Sequence, residues 1–188
     1  MRERGPWRTK SEELKYETNW ISIHHHEVID LSGKDGIYGV IHFKNIAVGM
    51  LPIDEHGYTW IVGQYRYPIE AYSWEIPEGG GKRDADPIVS ARRELKEETG
   101  IVAKKWTKIL EMDLSNSASN ERAIVYLAQD LQFEEAEPES TEDLQVKKLH
   151  FHELLEMVLK GEVRDAITVA TVLKVELMIR NGELRFQK

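Results

Sequence analysis

Apolar and polar residues alternate over short stretches in the first third of the chain. Residues 16–28, with Trp20, Ile21 and Ile23, predict a first strand, and residues 37–43 a second. Residues 46–53 and 58–65 predict two more, joined by the turn at 54–57. Residues 1–13 are polar without a period and read as a loose tail, and 30–36 (DLSGKDG) has turn chemistry. Residues 71–76 predict another strand, which Pro77 stops, and 78–81 (Glu-Gly-Gly-Gly) a loop. The period then lengthens. Asp86-Pro87 is a helix start, because Asp caps the first free amides and proline at the first helical position loses no hydrogen bond. The helix runs to about Thr99, where Gly100 ends it, with Ile88, Ala91 and Leu95 on one face. Residues 106–112 and 121–129 predict strands around a polar loop at 115–120. Residues 134–143 hold six acids in ten positions, with Pro138 among them, and predict a mobile loop. A short strand at 146–149 precedes helices at 151–159 and 166–179, separated by Gly161. Strands, helix, strands and helices in that order predict an α+β fold, with helices packed on a central mixed sheet.

Composition narrows the chemistry. The 188 residues suit one domain, or one with a small annex. Without cysteine there are no disulfides, thiolate metal sites or thiol nucleophiles. The net charge is −8 and no basic run offsets it, so no stable nucleic-acid partner is expected. No apolar stretch is long enough for a membrane span, and residues 1–13 lack the apolar core of a secretory signal, so a cytoplasmic location is expected.

The excess acid makes the helix at 87–99 informative. Glu94 and Glu98 are four residues apart and Glu97 is three from Glu94, which sets their oxygens along one edge of a helix. Carboxylates so placed repel one another unless cations arrive, and hard divalent ions such as Mg²⁺ take carboxylate and phosphate oxygens together. Arg93, four residues before Glu97, is placed to tether it and leave Glu94 and Glu98 for metal. Gly79, Gly80 and Gly81 before the helix allow close backbone approach to a ligand, so Gly79 and Gly80 are substrate-binding candidates. A plain solvated helix face with Arg–Glu pairs is the alternative.

Here the sequence resembles the Nudix hydrolase superfamily. Gly79, Arg93, Glu94, Leu95, Glu97, Glu98, Gly100 and Ile101 stand at the spacing of the Nudix box, while Ala85 replaces its first glutamate. The resemblance implies an α/β/α sandwich around a mixed sheet. It implies metal held by Glu94 and Glu98, with Glu97 assisting and the backbone carbonyl of Glu78 contributing. Two or three Mg²⁺ ions are implied, with Mn²⁺ able to substitute. Arg93, Gly100 and position 85 have structural parts in the box. Ala85 removes a brace of the loop, for which Asp84 or Asp86 is a partial substitute, although Asp86 is expected to serve as the helix cap.

The marks YGVIHFKN (38–45), VGQYRYPI (62–69) and WEIPEGG (74–80) resemble the ADP-ribose pyrophosphatase and nucleoside-diphosphate-sugar hydrolase branch. That likeness implies a β-rich annex at 1–45, exchanged in a homodimer, followed by a catalytic domain at 46–188. It implies hydrolysis of the diphosphate linkage of sugars such as ADP-ribose, GDP-mannose or UDP-sugars to a nucleoside monophosphate and a sugar phosphate. Arg66 matches an arginine near the diphosphate. Tyr16, Trp20 and Trp74 are candidates for stacking on a base. On the acidic loop, Glu142 is the metal candidate and Glu139 the alternative general base, with Glu97 and Glu98 the other catalytic candidates. Asn116 and Ser117 stand where strict ADP-ribose hydrolases carry a proline, which favours a broader substrate range. Nucleoside triphosphate pyrophosphohydrolysis and a catalytically weak sensing or interaction domain are the alternatives, with RNA decapping ranked below them. His24 and His26 share one strand face, but no third ligand stands nearby in the sequence, so a polar strand is the plainer reading.

Overall fold

The computed structural model describes residues 1–136 and 144–187. The chain forms two compact units, Met1–Ile46 with Asp113–Arg122, and Ala47–Met112 with Ala123–Lys188.

The first unit is an antiparallel sheet in the order β1-β2-β3-β4, made of β1 (Arg2–Arg4), β2 (Trp7–Glu17), β3 (Ile21–Ile29) and β4 (Asp35–Phe43). The expected loose tail is therefore two strands. Its side chains carry no apolar period because most of β2 is exposed and held by polar pairs such as Lys10–Asp35 and Ser11–Glu27. The single strand expected at 16–28 is broken at Thr18, whose hydroxyl accepts from the amides of Trp20 and Ile21, both at 3.1 Å, and so closes a hairpin. Asp30 makes the next turn by accepting from the amides of Ser32 and Lys34. Residues 113–122, distant in sequence, join the free edge of β4: the Ile41 amide donates to the Ala118 carbonyl at 2.9 Å, and the Asn120 side-chain oxygen accepts from the Phe43 amide at 2.7 Å.

The second unit holds two sheets. One has the order β8-β5-β10-β9, from β8 (Glu78–Lys82), β5 (Asn45–Pro52), β10 (Arg122–Phe133) and β9 (Ile101–Asp113). In it β5 and β10 run parallel, from Ala47 opposite Ala123 to Pro52 opposite Ala128. The other is antiparallel, β11-β6-β7, from β11 (Gln145–His150), β6 (Tyr58–Arg66) and β7 (Ala71–Glu75). Among the described residues three α-helices, α1 (Pro87–Thr99), α2 (Phe151–Leu159) and α3 (Ala166–Arg180), complete an α+β fold with the mixed sheet that the patterning implied. Val48, Met50 and Leu51 of β5 are fully buried, as a central strand requires. The α3 helix packs closely on the sheet, where a Cβ on Gly49 would lie 2.8 Å from Ile167. Thr168 also accepts from the Ile76 amide in the buried layer.

Residues 78–81 are strand, not the loop expected from their glycines. None of Gly79, Gly80 and Gly81 has a positive φ, and β8 pairs along the edge of β5. The α1 boundaries follow their caps. The Asp86 side chain accepts from the Ile88 amide, Pro87 opens the helix, and Gly100 ends it at φ 70°. No helix among the described residues is long and apolar enough to cross a membrane.

Candidate active site

The fully buried residues of α1 are Ala91 and Leu95, and the third buried position of that face is a carboxylate, Glu98. Glu98 is only 3% exposed, at a place where helical spacing would put an apolar residue. Burying an ionisable group without a compensating partner is costly, so such a position marks a polar site. The Glu98 carboxylate accepts from the Glu78 amide at 3.2 Å, and one turn earlier Glu94 accepts from the Gly80 amide at 3.2 Å. Alternate amides of β8 therefore bind carboxylates one turn apart on α1. Both amides point to the same side of an extended strand, which a tight glycine loop would not give. Gly79, between them, is required by space: a Cβ there would lie 2.2 Å from the Glu94 carboxyl carbon.

Arg93 spans the outer rim. It donates to Glu97 at 2.5 Å and to Glu94 at 2.6 Å. Arg93 tethers Glu97 as its spacing predicts, but it also binds Glu94, which the spacing left free for metal. The planar guanidinium reaches both the next residue and the one a turn ahead. Burial raises the Glu94 carboxyl above its ordinary value, and Arg93 draws it back only in part. Glu97 is the outermost of the three, its side chain 30% exposed against 14% for Glu94. Ala85 lies in the turn before the helix, its amide on the Lys82 carbonyl, and Asp86 serves as the cap.

A second group of charges surrounds Arg66. Its guanidinium binds Glu75 through Nε and Nη2, and Nη2 also reaches Glu78 at 2.9 Å. Asp165, the cap of α3, brings an oxygen to the same cluster, where Glu75, Glu78 and Asp165 ligand atoms lie within 4.8 Å of one another. Burial pushes Glu78 well above the usual carboxylate range, and Asp165 and Glu75 add to it against the pull of Arg66. Burial acts the same way on Glu75, but the Arg66 hydrogen bonds and charge outweigh it and hold that carboxyl low. The Glu78 side chain thus belongs to the Arg66 cluster, while its main chain belongs to the α1 seam.

Sequence reasoning missed Glu75 and Asp165. Glu75 lay within the WEIPEGG mark without an assigned role. Asp165 carries a helix-cap signal just before the apolar run of α3, but nothing in its spacing ties it to residue 75. The structure brings Arg66, Glu78, Gly79, Gly80, Arg93, Glu94, Glu97 and Glu98 into this connected network within the second unit. Trp74 stands on the opposite face of β7 from Glu75, edge-on to Tyr72. Tyr16 and Trp20 lie exposed in the first unit. Glu139 and Glu142 lie outside the described residues.

Two carboxylates fixed by main-chain amides at a strand–helix seam, one of them at a core position, are a hard-oxygen donor set. They fit a divalent cation such as Mg²⁺ and a phosphate ligand. Residues 43–171 match the NUDIX domain family, and the chain belongs to that family. It is 35% identical over 133 residues to the ADP-ribose pyrophosphatase of Bacillus subtilis (strain 168), covering 70% of this chain and 72% of the relative. A GDP-mannose pyrophosphatase of Yersinia pestis (strain Pestoides F) is 27% identical over 164 residues, covering 80% and 82%. In fold, the chain superposes on a crystal structure of an ADP compounds hydrolase with a TM-score of 0.84 at 19% identity, over 98% of this chain and 100% of that one.

Proposed function

We propose that the protein hydrolyses the diphosphate linkage of nucleoside diphosphate sugars, with ADP-ribose the foremost substrate and GDP-mannose or UDP-sugars further candidates, in a Mg²⁺-dependent reaction. The observation that carries this reading is the pair Glu94 and Glu98, anchored by the Gly80 and Glu78 amides at the seam of β8 and α1. Glu94 and Glu98 would hold the metal, with Glu97 assisting from the rim and the Glu78 carbonyl contributing. Mg²⁺ held there would supply Lewis acidity, activating water and neutralising diphosphate charge. Arg93 holds Glu94 and Glu97 in place and would orient them toward a bound cation. Arg66, fixed by Glu75 and Glu78, offers a permanently charged group to the diphosphate. A carboxylate takes the proton of the attacking water, Glu97 being the described candidate. The products are a nucleoside monophosphate and a sugar phosphate.

The test is a Mg²⁺ assay of ADP-ribose, GDP-mannose, UDP-glucose and nucleoside triphosphates with products identified. AMP and ribose 5-phosphate from ADP-ribose are expected. Pyrophosphate release from a triphosphate as the dominant activity would replace this reading with its rival. Chelation with EDTA should abolish turnover, and added Mg²⁺ or Mn²⁺ should restore it.

Assembly as a homodimer through the N-terminal sheet belongs to the same proposal. Supporting it, Leu14, Tyr16, Trp20, Leu31 and Ile37 of the first unit are large apolar side chains left exposed. Sedimentation equilibrium should give twice the chain mass. A monomer at micromolar concentration would remove the dimer from the proposal.

A further inference from the structure

Four ligating side chains meet on one face of the N-terminal sheet. His24 and His26 of β3 are two residues apart and so share a face. The β2–β3 register sets Glu12 opposite His26. The β3–β4 register sets His42 opposite Ser22, diagonal to His24. One ligand atom from each of Glu12, His24, His26 and His42 lies within 4.8 Å of the others. Tetrahedral sites with metal bonds near 2 Å have ligand atoms about 3.4 Å apart, and the separations here lie between that and 4.8 Å or below it.

The cluster is short of hydrogen bonds where a metal would bind. His26 is only 2% exposed, and among the described residues neither its Nε2 nor the buried Nδ1 of His24 makes a well-aligned hydrogen bond, the nearby Glu12 carboxylate included. The Glu12 Oε1 lies 3.1 Å from His24 Nδ1 and 3.7 Å from His26 Nε2, facing both. The other Glu12 oxygen is held by Arg4 at 3.0 Å, and the other ring nitrogen of His24 pairs with the Ser22 hydroxyl at 3.0 Å. Glu12 and His24 thus each have one atom fixed from outside and one turned inward, the arrangement by which outer partners orient metal ligands. A cavity of about 180 Å³ between Trp7, Tyr38 and His26 leaves room beside the cluster.

We propose that Glu12, His24, His26 and His42 form a binding site for a borderline transition-metal cation of the Zn²⁺ class, joining β2, β3 and β4. Imidazole nitrogens exclude Mg²⁺ and Ca²⁺ as the intended ions, since both select oxygen ligands. Four protein ligands leave no open position, so the site is structural.

The experiment measures Zn²⁺ retained by the full-length protein after dialysis, against a chromophoric chelator, in a Glu98→Gln background that removes one candidate cation ligand from the β8–α1 site. One equivalent of Zn²⁺ is expected, and Co²⁺ should give the visible d–d bands of a four-coordinate centre. His24→Ala and His42→Ala, both at partly exposed positions, should each lose that equivalent while keeping the circular dichroism of the parent. His25→Ala, on the opposite face, should retain it. Ser22→Ala should weaken the affinity about tenfold by releasing the His24 ring. Equal Zn²⁺ retention by the parent, His24→Ala and His42→Ala, or no retention by any of them, would overturn the site.

Discussion

Glu98→Gln should lower Mg²⁺-dependent turnover roughly a hundredfold or more while leaving the protein folded. Loss of an outer partner alone costs metal sites about 10- to 100-fold, and this change removes a ligand candidate itself. The amide is nearly isosteric with the carboxylate, so the 3% exposed site stays filled. Its carbonyl can still accept from the Glu78 amide, so the β8–α1 seam survives. Neutralising one of three neighbouring carboxylates also relieves repulsion on the helix, and thermal stability should hold or rise. Product formation from ADP-ribose and thermal melting, measured on the same preparation, separate the two effects. Wild-type turnover in this variant would remove Glu98 from the metal site, and a collapsed melting temperature would assign it to folding instead.

The second large effect is expected at Gly79. A single methyl there would stand 2.2 Å from the Glu94 carboxyl carbon and 2.4 Å from its Oε1. Neither distance is tolerable, so Glu94 or β8 must move, and the Gly80 amide bond to Glu94 is lost with that shift. Gly79→Ala should cost about 1–3 kcal/mol of stability as an overpacking change. It should reduce turnover about a hundredfold, the scale of an ångström-sized misplacement at a reacting centre. Gly39→Ala, at an exposed extended position with nothing within 4 Å, should leave both melting temperature and turnover close to wild type. Unchanged kinetics in Gly79→Ala would mean that Glu94 works equally well from a displaced position.

The α1 seam was legible because its residues are neighbours along one helix. Glu94, Glu97 and Glu98 follow helical spacing, and Asp86, Pro87 and Gly100 punctuate the element on chemical grounds that act locally. The burial of Glu98 follows from the same spacing, which sets it one turn beyond Leu95 on the buried face of Ala91 and Leu95. Elsewhere the information is non-local. Nothing near Glu75 announces Asp165, since the two meet only when α3 packs against the sheet. His42 and Glu12 join His24 and His26 only through strand register, which a run of three histidines does not reveal. The strands at residues 2–17 escaped for a different reason. Most of their side chains are exposed and held by salt bridges, and β2 is positioned by backbone pairing with β3, so hydrophobic alternation, the usual mark of a half-buried strand, is absent.

The docking of residues 113–122 on β4 bears on how the protein is made. The first unit cannot be completed when Ile46 leaves the ribosome, because the partner of its last strand, with Ala118 and Asn120, is still unsynthesised. At ordinary elongation rates that segment follows on the order of seconds later, after β6, α1 and β9 have emerged. Vectorial synthesis therefore leaves the nascent β4 edge open to other chains during that interval, including a second nascent copy.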